Sequence, residues 1–272
     1  MNAIPKTFKA SLLACAVALL ASAPFARAEN GITAVYSRAS GDYVRATQSD
    51  GSMESEGYAF GNGGYYSGPL KDNTIDNLGF SDIAHTLAAP LAAQNFVSAT
   101  DPKKTKLLIM VYWGSTYGPQ DFAQSNFSRG PAFSGYELTG ASYDMSIRRN
   151  AGILGYSDEI NATGIRRLRL GGDLNDELGS SRYFVVLMAY DFQMMWKDKK
   201  HKLLWESRFS VREQGNDFTR ALPAMAEYAS RYFGRDSHGL LRTHVPDGRI
   251  DMGDPTLIGF LSGEPPVLRA ND

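Results

Sequence analysis

Two strand-like runs joined by a charged turn constrain this chain more than anything else in it. Tyr183 to Trp196 reads as one long strand, Lys197 to His201 as a polar turn, and Lys202 to Arg212 as the returning strand. On the return, Leu203, Trp205, Phe209 and Val211 point one way, while Glu206, Arg208, Ser210 and Arg212 point the other. That period of two marks an antiparallel strand with one apolar face. A hairpin of this kind needs a second layer to cover it, so the chain must build a sheet backed by helices.

The flanking segments supply those layers. Phe80, Ile83, Ala84, Leu87 and Leu91 fall on one helical face, with Asn77 or Ser81 able to cap the helix and Pro90 expected to kink or divide it. Leu107 to Trp113 is apolar throughout, as in a strand covered on both faces. A second helix is expected from about Phe218 to Phe233, with Leu222, Met225, Ala226, Ala229 and Phe233 on its apolar face and Gly234 stopping it. The expected fold is α+β or α/β: a small mixed or antiparallel sheet, helices packed on one face, and a long loop insertion over 114–181. Within that insertion, 136–149 and 173–178 have helical character. Residues 29–76 form a Gly/Tyr-rich N-terminal segment expected to be poorly ordered, with one short strand at Ile32 to Tyr36. Residues 77–234 form the α/β domain, and 235–272 an extended C-terminal tail.

Residues 1–28 have the three parts of a secretory signal peptide. Lys6 and Lys9 give a positive start, Ser11 to Phe25 is an apolar run too short to span a bilayer, and Ala26 and Ala28 suit cleavage after Ala28. Leu12 to Cys15 loosely resembles a lipobox, but the apolar run continues past Cys15, which favours cleavage at Ala28 over a lipid anchor there. Cleavage would remove the single cysteine, and with it any disulfide, thiol nucleophile or cysteine metal ligand. It would leave 25 basic residues (28 less Lys6, Lys9 and Arg27) against 29 acidic ones. That mild acidity argues against nucleic acid as a partner. The expected location is therefore exported, periplasmic or secreted, with no membrane span in the mature chain.

No motif names a chemistry. The chain lacks a Gly-x-Ser-x-Gly elbow and a phosphate-binding Gly-x-x-x-x-Gly-Lys loop, so the catalytic residues are unspecified and no cofactor is implied. His238 and His244, six apart, are candidate metal ligands, as are Asp247, Asp251 and Asp254 in a Gly-containing stretch suited to calcium. Surface turns are the preferred account of these residues, because the aspartates lack the alternating spacing of a calcium loop. Asp191 and Glu206 would lie near each other across the hairpin and are weighed as an acid–base pair against an ion pair with Arg208 or Arg212, or simple exposure. Asp173, Asp176 and Glu177 read as a solvated face. Trp113, Trp196 and Trp205 are candidate interaction residues, with the core as the competing place for them. The Tyr58 to Pro69 stretch reads either as a sticky aromatic segment or as a loop that packs its tyrosines.

The order of helix, apolar strand, hairpin with a polar turn and a Trp on its return, then a last helix resembles a group of bacterial envelope proteins of unknown function, often lipoproteins. The residues that carry this resemblance are Ile83 to Trp113, Phe184 to Phe233 and, for the turn and its Trp, Asp198 to Trp205. The resemblance implies a bacterial envelope protein without established enzymatic activity, and it brings no functional residues with it. The expectation is a non-enzymatic module holding another envelope protein or an envelope polymer. An exported hydrolase with a site assembled from distant residues, and a small-ligand or metal carrier, are the alternatives.

Overall fold

The computed structural model describes residues 32–68, 70–118, 140–163 and 172–244. Its frame is a seven-stranded mixed sheet in the order β3-β2-β4-β5-β6-β1-β7. The strands are β1 (Ile32–Ala39), β2 (Glu56–Tyr66), β3 (Phe96–Ser98), β4 (Leu107–Ser115), β5 (Arg182–Asp191), β6 (Leu203–Arg212) and β7 (Leu241–His244). β2 runs parallel to both β3 and β4, and every other pairing is antiparallel.

One face carries the expected helices, α2 (Phe80–Ala92) and α7 (Phe218–Ser230), with the short α1 (Asn73–Asp76) beside them. Asp82 caps α2 by accepting the Gly79 N–H at 2.8 Å. Pro90 does not divide the helix. It lies in the last turn, where its missing N–H forfeits a single bond, and its ring is buried. Asp217 caps α7 by accepting from Arg220 N. The helix ends at Ser230, earlier than its apolar stripe suggests, and Phe233 follows in a turn where it stacks on Trp205 at 5.9 Å. Gly234 ends the segment with φ +70, and a Cβ there would crowd Phe96, Arg45 and Tyr43. This layer packs on Leu107, Ile109, Val111 and Trp113 of β4, Tyr183 and Leu187 of β5, and Trp205, Phe209 and Val211 of β6.

The insertion adds a second layer. α3 (Gly140–Leu154), α4 (Ser157–Thr163) and α5 (Asp173–Leu178) lie against the opposite face. Ile147, Ala151, Leu154, Tyr156, Ile160 and Leu178 pack there on Ala34, Phe184 and Val186. The helical character expected at 173–178 is therefore present, as is that expected at 136–149 from Gly140 onward, with 136–139 outside the described residues, and the sheet is backed on both sides over β5, β6 and β1.

Four local expectations need correction. The described part of the N-terminal segment carries more regular structure than expected: β1 runs three residues past Tyr36, and 56–66 form a strand. The tail contributes β7. The long strand from Tyr183 stops at Asp191, whose carboxylate accepts the Met194 N–H at 2.9 Å and starts α6 (Phe192–Asp198). Lys199, with φ 56, ends that turn of helix. A bulge at Leu204 then turns Leu204, and not Leu203, toward the core beside Trp205.

A buried ion network locks the second layer to the sheet. Glu177 accepts from Tyr156 Oη at 2.5 Å and from Arg242 Nε at 2.8 Å, with Arg242 Nη2 also bonded to it. Arg182 Nη1 lies 3.9 Å away, and Arg182 Nη2 donates to the Ile32 carbonyl at 2.7 Å. Glu177 is 3% exposed and Arg182 1%, so the reading of Glu177 as part of a solvated face is overturned. One carboxylate thus ties α5 to β5, β1 and β7. Removing it leaves two guanidinium groups partly or wholly stranded, which costs about 3–5 kcal/mol in comparable cases. Glu177→Ala is expected to lower unfolding free energy by that amount in urea titration, whereas Glu177→Gln, which keeps the acceptor oxygen, should lose less.

Candidate functional site

The feature that stands out is the outer margin of β2. At its start the strand is pinned. Glu56 N donates to Asn95 O at 3.0 Å, Tyr43 Oη donates to Glu56 Oε2 at 2.6 Å, and the buried Arg45 guanidinium stacks on Phe96 at 4.1 Å while donating to the Gln94 and Glu54 carbonyls. β3 then pairs with β2 only from Glu56 to Tyr58. Ala99 N closes that contact on Tyr58 O, whereas Gly57 O faces the other way and accepts from Lys106 N. Main-chain groups alternate along a strand, so Phe60 and Asn62 turn their N–H and C=O outward as Tyr58 does. Among the described residues no strand lies there to receive them, and Asn62 is exposed.

Glycine shapes this margin. A Cβ on Gly61 would fall 2.3 Å from Met110 Sδ, and one on Gly63 would fall 2.5 Å from the Tyr112 ring. The missing side chains let Met110 and Tyr112 of β4 lie across β2, forming a half-buried apolar platform with Leu108. A bulge between Asn62 and Gly64 then re-aims the end of the strand. Beyond it, Tyr65 stacks on Trp113 at 5.9 Å on one face and Tyr66 meets Phe184 at 6.0 Å on the other. Both tyrosines remain partly open to solvent.

At this end of the sheet, where β2 and β4 both finish, lies a cleft of about 260 Å³. Tyr65, Tyr66, Ser115, Thr116, Tyr117, Arg149, Asn150 and Phe184 line it. Asn150 Nδ2 fixes its floor by donating to the Tyr117 and Leu178 carbonyls at 2.7 and 3.0 Å. Arg149 lies 5.7 Å from the Tyr117 ring, and Ser115 Oγ donates to the Glu213 carboxylate. Tyr65 Oη donates to Asp76 and Tyr183 Oη to Asp72. Burial, reinforced by the adjacent carboxylates, raises both phenols well above the usual tyrosine range, so both stay protonated donors. The arrangement presents aromatic faces, hydroxyls and one guanidinium to solvent.

The candidates read from the sequence scatter over the molecule. Trp113 and Trp205 are 3% and 1% exposed in the α2/α7 layer, while Trp196 is 55% exposed on α6, at the opposite end of the sheet from Trp113. The three do not form one groove. His238 is exposed near Asp236. His244 pairs with Ile32, and Ser237 meets Ser37, so the backbone puts the two histidines near opposite ends of β1, about 16 Å apart. Asp247, Asp251 and Asp254 lie outside the described residues. Among the described residues no group of three or more His, Cys, Asp or Glu is placed to hold a metal. Asp191 is a helix cap, and Glu206 pairs with Arg208 at 2.8 Å, so these two do not face each other as an acid–base pair. The sequence reading missed the β2 margin and the cleft. The Tyr58, Phe60 spacing of two was the available signal, and the glycines that follow masked it.

No protein-family model and no curated protein sequence matches the chain. Among solved structures it bears a weak likeness to a PDZ domain protein from Parabacteroides distasonis, at 11% identity over 78% of this chain and TM-score 0.37. It spans 39% of that protein's length. A DUF4136 family protein from Bacteroides thetaiotaomicron is similar at 13% identity over 72% of this chain and 91% of that one, with TM-score 0.30. No helix among the described residues is long and apolar enough to cross a membrane.

Asp72 both caps α1, accepting from Thr74 N at 2.8 Å, and receives the Tyr183 hydroxyl. Burial alone would raise its pKa, but the bonds from Tyr183 and Thr74 outweigh it and hold the carboxyl below the ordinary 3.8. A depressed folded-state pKa stabilises the fold above 3.8, and that contribution disappears as pH falls through the folded value. Asp72→Ala should cost about 1–2 kcal/mol at neutral pH. The gap between it and the parent should narrow in acid-unfolding curves as pH falls from 3.8 through the lower folded-state value.

Proposed function

We propose that this protein is exported to the bacterial cell envelope and works there as a non-enzymatic module that holds an extended segment of another envelope protein along β2. The observation that carries this reading is the outward pair of main-chain groups at Phe60 and Asn62, with no strand beside them among the described residues. A sheet margin of that kind takes an added strand: main-chain bonds supply affinity and alternate side chains supply specificity. An added strand would set its alternate side chains beside the Met110 and Tyr112 platform. Its end would reach the cleft, where Tyr65, Tyr66 and Arg149 favour a partner residue with an aromatic or carboxylate side chain. The features read from residues 1–28 support export.

A photo-reactive amino acid at Asn62, activated in intact cells, tests the reading. One dominant protein adduct is expected, and an adduct-free or randomly labelled chain counts against it. Asn62→Pro removes only an outward N–H, a change that strand margins tolerate. It should leave the melting temperature within a degree or two of the parent, yet abolish capture of the partner found by cross-linking. Unchanged capture would overturn the proposed mode. N-terminal sequencing of the envelope-recovered protein should begin at Glu29.

A further inference from the structure

The chain has ten lysines, and seven of them fall in two short stretches: Lys103, Lys104 and Lys106, and Lys197, Lys199, Lys200 and Lys202. Far apart in sequence, these stretches meet at one end of the sheet. Gln193 Nε2 on α6 donates to the Pro102 and Thr105 carbonyls at 2.7 and 2.8 Å, and Phe192 N donates to Lys106 O at 2.9 Å. Lys103, Lys104, Lys106, Lys197, Lys199 and Lys200 are all exposed, and Lys202 is tied to Asp42. Against these seven ammonium groups stand four carboxylates, Asp42 on Lys202, Asp191 capping α6, Asp101 capping the 101–104 turn and the exposed Asp198, so the end keeps a positive excess. The chain as a whole carries a formal charge of −1, so this positive concentration is local.

A large apolar side chain stands among these charges. Trp196 is 55% exposed, and its ring stacks at 5.8 Å and 21° on Phe192, which is 6% exposed and rooted in the fold. Met194 and Met195 flank it, half-buried. A rigidly mounted indole costs little conformational entropy on binding. An amphipathic ring ringed by long, flexible lysines is the composition that settles at headgroup level, with the ring among the upper chains and the ammonium groups on phosphates.

We infer that this lysine-ringed Trp196 end of the sheet is a docking surface for the anionic phospholipid face of a bilayer. The two attractions are independent: charge draws the surface to phosphate groups, and the indole then enters the interface. Nucleic acid or a soluble polyanion would use the charge but leave the indole in water, because a single exposed ring offers no stacking track. This surface is separate from the β2 margin, so either reading can fail without the other.

The test is co-sedimentation of the protein with vesicles of phosphatidylcholine alone and of phosphatidylcholine mixed with phosphatidylglycerol. Residues 1–28, if retained, are common to every variant and cancel in the comparison. The parent should pellet with the mixed vesicles only, and less so as salt rises from about 0.1 M to 1 M. Trp196 emission should shift to the blue, against the constant background of buried Trp113 and Trp205. Each lysine near such a surface is worth about fivefold in partitioning. The combined Lys103→Gln, Lys104→Gln, Lys197→Gln and Lys200→Gln variant should therefore lose at least about a hundredfold, with an unchanged melting curve. Trp196→Ala should bind more weakly and lose the blue shift. Equal pelleting with both vesicle types, or no loss in the fourfold variant, would overturn the inference. So would a parent that ignores vesicles yet binds heparin, which would assign the surface to a soluble polyanion.

Discussion

β4 is bonded along both margins, in parallel to β2 and in antiparallel register to β5 over nine residue pairs from Leu107 to Ser115. Its side chains divide by parity. Leu107, Ile109, Val111 and Trp113 enter the α2/α7 layer, and Leu108, Met110 and Tyr112 face the other side. A central strand of this kind cannot slip by one residue without exchanging its two faces. With β4 fixed, β5 and β6 follow by hydrogen bonding, and β2 is placed by the glycines that admit Met110 and Tyr112. The helices then cover what the sheet presents.

The polar interior adds a second level of specification. Glu177, Arg182 and Arg242 on one face, and Tyr43, Arg45 and Glu56 near the other, join segments that are remote in sequence. Buried charges in such clusters gain little net stability but punish any arrangement that strands them. The register of β1 and β7 against the rest of the sheet is fixed in this way, since Arg182 reads the Ile32 carbonyl and Arg242 reaches Glu177.

How much of this was legible beforehand varied with the kind of signal. The hairpin, both helices of the first layer, the apolar central strand and the helical parts of the insertion followed from periodicity, because each element buries one face of its own. β2 did not, because its period breaks at Asn62 and its glycines act through the side chains of a neighbour 49 residues away in sequence, as between Gly61 and Met110. The turn of helix at α6 was hidden by strand-forming residues on both sides, and a single capping aspartate decided it. Glu177 looked solvated because its arginine partners come from elsewhere in the chain. Of the site, the aromatic segment was noticed, but its openness is a property of where β3 stops, which no local pattern encodes. The lysine runs were plain in the sequence. Their adjacency was not.

The parallel pairing of β2 with β4 gives the sheet a direction. Both strands start near the lysine-bearing 103–106 turn and both finish at the tyrosine-lined cleft. The nine residues of β4 set these two ends about 30 Å apart. Seven lysines gather at the start of that axis and the tyrosine-lined cleft lies at its end. Were the lysine end to rest on a surface of fixed anions, the same axis would leave the cleft pointing away from that surface.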